Sequence, residues 1–240
     1  GKSSFAKYLG LSFDKSLLID GVAFGDKLMS RINDVGITAM PKTIIARHNP
    51  QVVMIDLSTQ NPGGKIALVS DIVYYETLKL LGITSSSDQK VMSFIDMLHN
   101  EGKYDEFCQL VETEKKKTWK AVESNDLIAN MFAAEYAPRL LPAYFPDSDS
   151  YNRIVINTAE NEKERFTRLI KLIKEKTGHD RVIFVLDEVG QYVASNVDLI
   201  LNVQGMMQIF KDEFRGNVWA IATAQQTLTE DNRNAQLNSN

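Results

Sequence analysis

The chain has 240 residues, 44% of them hydrophobic, enough to bury a substantial core and to build one α/β domain with an insertion. Its net charge of −4 argues against nucleic-acid binding by bulk electrostatics, although it leaves room for a local patch. A single cysteine, Cys108, excludes an internal disulfide and fits a reducing compartment, and no apolar run reaches the length of a membrane span.

At the start, Gly1-Lys2-Ser3-Ser4 matches the end of the phosphate loop G-x-x-x-x-G-K-[ST]. In that loop the amides cradle phosphates, the lysine reaches the terminal ones, and the hydroxyl holds Mg²⁺. Phe5 and Leu9, at i and i+4, announce the helix that such a loop opens. The motif needs a strand before it, so the sequence is expected to be a piece of a longer chain. The polar run 234–240 reads as a second cut end.

After a short apolar stretch, Leu17-Leu18-Ile19, the spacing of Leu28, Ile32 and Val35 predicts a helix over 24–35 with Gly36 as its cap. Residues 52–57 read as a strand on their β-branched content, set between Asn49-Pro50 and Asn61-Pro62-Gly63-Gly64. Asp56 within it is read as a hydrogen-bonded or edge-facing carboxylate, because Asp187 already fits the magnesium position.

The middle is helical. Residues 66–81 are amphipathic, and Ser86-Ser87-Asp88-Gln89 is a capping box opening a helix through Met92, Ile95 and Leu98. The pattern continues over 104–119 and 126–141, with Pro138 and Pro142 as stops. This predicts a helical insertion over 65–146 between two parts of one core, 1–64 and 147–240. The separation of Lys2 from Asp187 agrees, being far more chain than two or three βα units of about thirty residues would use. Lys115-Lys116-Lys117 with Trp119 and Lys120 could touch nucleic acid, but Glu112, Glu114 and Glu123 interleave and favour a solvated helix face. His48, His99 and His179 lack metal-ligand spacing and receive no role.

Beyond the insertion, 153–157 reads as a strand and 160–176 as a helix with Phe166, Leu169, Ile170 and Ile173 on one face, ended by Gly178. Val182-Ile183-Phe184-Val185-Leu186 is a strand buried on both faces that ends in Asp187-Glu188. Ligands of open α/β sheets bind at that carboxyl edge. A helix over 197–214 faces inward through Leu199, Val203, Met206, Phe210 and Phe214. Residues 218–223 form another buried strand, ending in Ala224-Gln225-Gln226. A right-handed crossover makes it parallel to the Asp187 strand and a candidate for its neighbour. Thr223 or Gln225 then approaches a bound γ-phosphate, unless Gln225 is a turn-forming amide with no ligand.

Phosphoryl transfer from ATP to water needs charge neutralisation, a metal and a group that orients the water. Lys2 with the amides of Gly1, Ser3 and Ser4 would hold the phosphates, Ser3 and Asp187 the Mg²⁺, and Glu188 would polarise the water. Arg215 and Arg233 are the arginines nearest the last strand, and neither carries a finger motif.

Four segments carry a family resemblance: Gly1-Lys2-Ser3-Ser4-Phe5-Ala6-Lys7-Tyr8-Leu9-Gly10, Glu160-Asn161-Glu162-Lys163-Glu164-Arg165-Phe166, Val185-Leu186-Asp187-Glu188-Val189-Gly190-Gln191-Tyr192-Val193 and Trp219-Ala220-Ile221-Ala222-Thr223-Ala224-Gln225-Gln226. The chain resembles the large P-loop ATPase of BREX bacteriophage-exclusion systems, BrxC or PglY, with Asp-Glu-Val-Gly-Gln-Tyr the most specific part. The resemblance implies an α/β P-loop NTPase core of AAA+ type with a long helical insertion, using ATP and Mg²⁺. It implies a bacterial cytoplasmic homo-oligomer, off the membrane, that works with other BREX defence proteins and meets DNA indirectly or through regions outside this segment. A non-hydrolysing nucleotide-binding scaffold and a RecA-type translocase are the alternatives.

Overall fold

A computed structural model describes residues 1–59, 67–147, 149–153 and 162–224. In chain order, α1 (Lys2–Ser12) leads through the antiparallel pair β1 (Leu18–Ile19) and β2 (Val22–Ala23) to α2 (Phe24–Met29), α3 (Val35–His48) and β3 (Gln51–Asp56). Six helices follow: α4 (Val69–Leu80), α5 (Gln89–Asn100), α6 (Tyr104–Lys115), α7 (Trp119–Val122), α8 (Asp126–Leu140) and α9 (Ser150–Arg153). Then come α10 (Glu162–Thr177), β4 (Val182–Asp187), α11 (Val189–Val193), α12 (Val197–Phe214) and β5 (Val218–Ala222). The chain divides into two compact units, Gly1–Tyr74 with Glu162–Asn240, and Tyr75–Asn161.

The first unit is α/β. Among the described residues its larger sheet is parallel with order β3-β4-β5, so the strand ending in Asp187 is central and the last strand is its neighbour. All six residues of β4 are buried, as expected for a strand covered on both faces. Its side chains alternate. Ile183 and Val185 pack with Ala6 and Phe13 of the α1 segment and with Ile44 and Ile45 of α3. On the other face Phe184 stacks on Phe210 of α12 at 5.4 Å, and Phe210 meets Phe166 of α10 edge-on at 5.0 Å. Each such buried side chain contributes about 1.5–3 kcal/mol, so α1 is held to the sheet largely by apolar contact.

Several expectations change. The helix expected over 24–35 is two helices, because Asp34 caps α3 by accepting from the Ile37 amide at 3.0 Å, which favours a new start over continuation. Gly36 therefore lies in the first turn of α3 rather than at a helix end. The cap of α5 is Asp88, which accepts from the Lys90 and Val91 amides, while Ser86 donates to Asp126 at 2.9 Å instead of closing a capping box. Pro138 sits inside α8, whose end comes just before Pro142; the ring of Pro142 drives Leu141 to φ −129°, out of the helical region. The strand expected over 153–157 begins on Arg153, the last residue of α9, and its remaining residues lie outside those described.

The second unit is helical and has its own aromatic core. Phe107 contacts Phe94, Trp119 and Tyr136 with ring centroids 5.4, 4.9 and 5.7 Å away. Trp119 is 1% exposed and therefore offers no face to a nucleic-acid base. Lys115 pairs with Glu135 and Lys120 with Glu123; the lysine ends are partly exposed, but Glu123 is buried, so the run is a solvated face only in part. Among the described residues no helix is long and apolar enough to cross a membrane.

Candidate functional site

The chain's first helix and the carboxyl edge of the sheet meet in the α/β unit. Because the strands are parallel and in register, Asp56 at the end of β3 lies opposite Asp187 at the end of β4. Residues directly following β5 reach the same edge. The amino end of α1 lies over it: Lys2 Nζ donates to the Ala224 carbonyl at 2.9 Å, and Ser3 Oγ donates to Glu188 Oε1 at 3.2 Å. Four residues further along α1, on the same face as Ser3, Lys7 Nζ stands 3.2 Å from Asp187 Oδ2 and 3.5 Å from Asp56 Oδ2. Gly1 is the N-cap of α1 with no side-chain cap, so the first-turn amides carry the partial positive charge that favours an anion.

Asp187 is 3% exposed and well partnered. Its Oδ1 accepts from the Thr223 hydroxyl at 2.5 Å and from the Glu188 amide at 3.1 Å. Burial pushes its carboxyl up, but the hydrogen bond from Thr223, the nearby Ser3 hydroxyl and the Lys7 ammonium outweigh burial and hold it below the usual carboxylate range. Asp56 is also held low, first by Ser58, whose hydroxyl and amide both donate to Oδ1, and against the opposing effect of burial. Lys7 is raised above its ordinary value by its hydrogen bond and attraction to Asp187. Both carboxylates are thus anions over the whole neutral range.

The turn after β4 is strained. Glu188 has φ 60° and ψ 27°, a left-handed conformation that costs a non-glycine residue on the order of 1–3 kcal/mol. Thr223 stabilises the turn by accepting from the Glu188 amide at 2.9 Å while donating to Asp187. The result turns the Glu188 side chain toward Ser3.

The available donors are hard oxygens: the Ser3 hydroxyl and the Asp187 and Asp56 carboxylates. That set suits Mg²⁺, which takes one or two protein carboxylates and completes its shell with water and phosphate oxygens. Among the described residues there is no cluster of three or more His, Cys, Asp or Glu that could hold a metal ion. A serine hydroxyl keeps lone pairs for a cation while donating its proton, so the Ser3–Glu188 bond does not bar metal ligation.

Of the residues singled out from sequence, Gly1, Lys2, Ser3, Ser4, Asp187 and Glu188 lie in this one region or in the helical turn that enters it. Gln225 and Arg233 lie outside the described residues. Arg215 is the left-handed C-cap of α12, before β5, at the sheet edge opposite Asp187. It cannot serve as a finger for its own chain's site. Sequence reading missed Lys7, while Asp56 is the hydrogen-bonded, edge-facing carboxylate it was read as, accepting from Ser58 at the end of β3. The i, i+4 spacing of Ser3 and Lys7 was the available signal, but only the sheet register brings Asp56 to it. A cavity of about 410 Å³ opens at the other end of α1, lined among others by Asp14, Lys15 and Lys42, and it shares no residue with the carboxylate site.

No family model matches the chain, and no solved structure matches it.

Proposed function

We propose that this chain is the ATP-binding, Mg²⁺-dependent and ATP-hydrolysing part of a BREX-type phage-defence ATPase, with an AAA+-like P-loop core. The observation that carries the reading is the 3.2 Å approach of the Ser3 hydroxyl to Glu188, which joins the phosphate-loop tripeptide to the Asp-Glu strand end across 185 positions of sequence. Lys2 and the first-turn amides of α1 bind the phosphates, Lys2 exchanging the Ala224 carbonyl for a phosphate oxygen. Ser3 and Asp187 hold the ion, which supplies neutralisation of charge on the phosphoryl oxygens. Glu188 has one oxygen on Ser3 and directly follows the Asp187 strand end, from which it polarises the attacking water. The resemblance over the Asp187-Glu188-Val189-Gly190-Gln191-Tyr192 run supports the BREX assignment, and with it the other defence proteins as partners and a homo-oligomeric assembly.

The test is ATP binding and phosphate release by wild type, Lys2→Ala and Glu188→Gln. Lys2→Ala is expected to lose binding, and Glu188→Gln to bind ATP while hydrolysing it about a hundredfold or more slowly, the usual contribution of a positioned base. Failure of the wild type to bind ATP would overturn the nucleotide site. Equal phosphate release by Glu188→Gln and wild type would remove Glu188 from the chemistry, and binding with no turnover in any variant would favour a nucleotide-stabilised scaffold.

A further inference from the structure

Lys7 belongs to neither half of the motif pair, yet its ammonium pairs with both strand-end carboxylates. We propose that Lys7 is a resident counter-ion for the Asp56–Asp187 pair, occupying the position a divalent metal takes and leaving it when the metal enters. The proposal rests on the reading of this site as one for a metal-bound triphosphate.

Three observations carry it. The ammonium lies between Asp187 Oδ2 and Asp56 Oδ2, at 3.2 and 3.5 Å, and bridges two carboxylates that the strand register sets side by side. The Asp187 side chain is only 4% exposed, so its charge needs a partner when no metal is bound. The Lys7 side chain is 45% exposed, so its end can swing into water without rupturing packed structure.

Lys2 points elsewhere, to Ala224, so the two lysines of α1 divide the work. Lys2 is placed for phosphate and Lys7 for the two acids. The consequence is selectivity: a divalent ion displaces the ammonium because it brings twice the charge, whereas a monovalent ion gains little over what Lys7 already supplies.

The experiment measures Mn²⁺ binding to the 240-residue chain by the electron paramagnetic resonance signal of the free ion, with no nucleotide present. Lys7→Met should bind Mn²⁺ about two- to fivefold more tightly than wild type, the scale of a half-exposed ion pair removed as competitor. Lys7→Gln, which keeps a polar end, should shift in the same direction and replaces the methionine variant if that one folds poorly. The gain should vanish in the Lys7→Met, Asp187→Asn double variant. Equal or weaker Mn²⁺ binding in both single variants, no binding by any variant, or a gain that survives loss of Asp187 would each overturn the proposal. Its failure is separable from that of the nucleotide site: a Mn²⁺ gain with no ATP binding by wild type defeats only the latter, and ATP binding with no Mn²⁺ gain defeats only the former.

Discussion

Thr223 stands at the junction of two strand ends, and its single hydroxyl does two jobs. It donates to Asp187 Oδ1 and accepts from the Glu188 amide, so it stabilises a buried carboxylate anion and fixes a left-handed turn together. Thr223→Val keeps the shape and removes both bonds, and it should lower stability by about 1.5–3 kcal/mol, the range for a hydrogen bond to a charged group. Thr223→Ser should recover most of that loss. Urea unfolding of the three proteins decides it; a valine variant as stable as wild type would mean that water replaces the hydroxyl. Sequence reading placed Thr223 near a phosphate. Its hydroxyl meets Asp187 and Glu188, because the one-residue offset past β5 aims it along the sheet edge at its neighbour strand.

Among the elements, α1 matters most, since its tilt on the sheet sets where Lys2, Ser3 and Lys7 stand. Gly10 lets it sit close: a Cβ there would come within 2.8 Å of Val185 Cγ2 and 3.6 Å of Met54 Sδ. Gly10→Ala raises helix propensity by about 1 kcal/mol. Overpacking against a stiff β-branched side chain costs about 1–3 kcal/mol. The expected balance is a net destabilisation of about 1 kcal/mol, read as a lower urea midpoint; a higher midpoint would show that the helix can slide without penalty. Gly25 in α2 is tighter still, with a Cβ falling 2.2 Å from the Ser12 carbonyl oxygen. The existence of β3, β4, α12 and β5 was legible from apolar runs and helical spacing, whereas of the Phe5–Leu9 pair that announced α1, Phe5 is 69% exposed and does not face the core. Boundaries failed where a side chain rewrote the local hydrogen bonding, as Asp34 and Asp88 do.

At the scale of the whole molecule, the two units have separate cores, and acid should act on the helical one through a particular pair. Arg139 clamps Glu114 with bonds of 2.9 and 2.8 Å, Tyr136 adds a third, and the Arg139 bond leads in pulling the carboxyl from 4.5 down to about 2. The unfolded chain then takes up a proton that the folded chain refuses. The pair's contribution is therefore complete above pH 4.5 and is lost as pH falls toward 2, softened by the solvent screening of a half-exposed pair. The stability gap between wild type and Glu114→Gln, from urea melts, should narrow between pH 6 and pH 2.5, and an unchanged gap would exclude the linkage. By itself the sequence determined the α/β class, a strand buried on both faces, the helical middle and the two motifs, because hydrophobic period and short motifs are local properties. Tertiary structure alone decided that Ser3 meets Glu188, that Asp56 stands beside Asp187 and that Lys7 lies between the acids. Those contacts depend on strand register and on the seat of α1 over the sheet, and no local pattern encodes the distance between residues far apart in the chain.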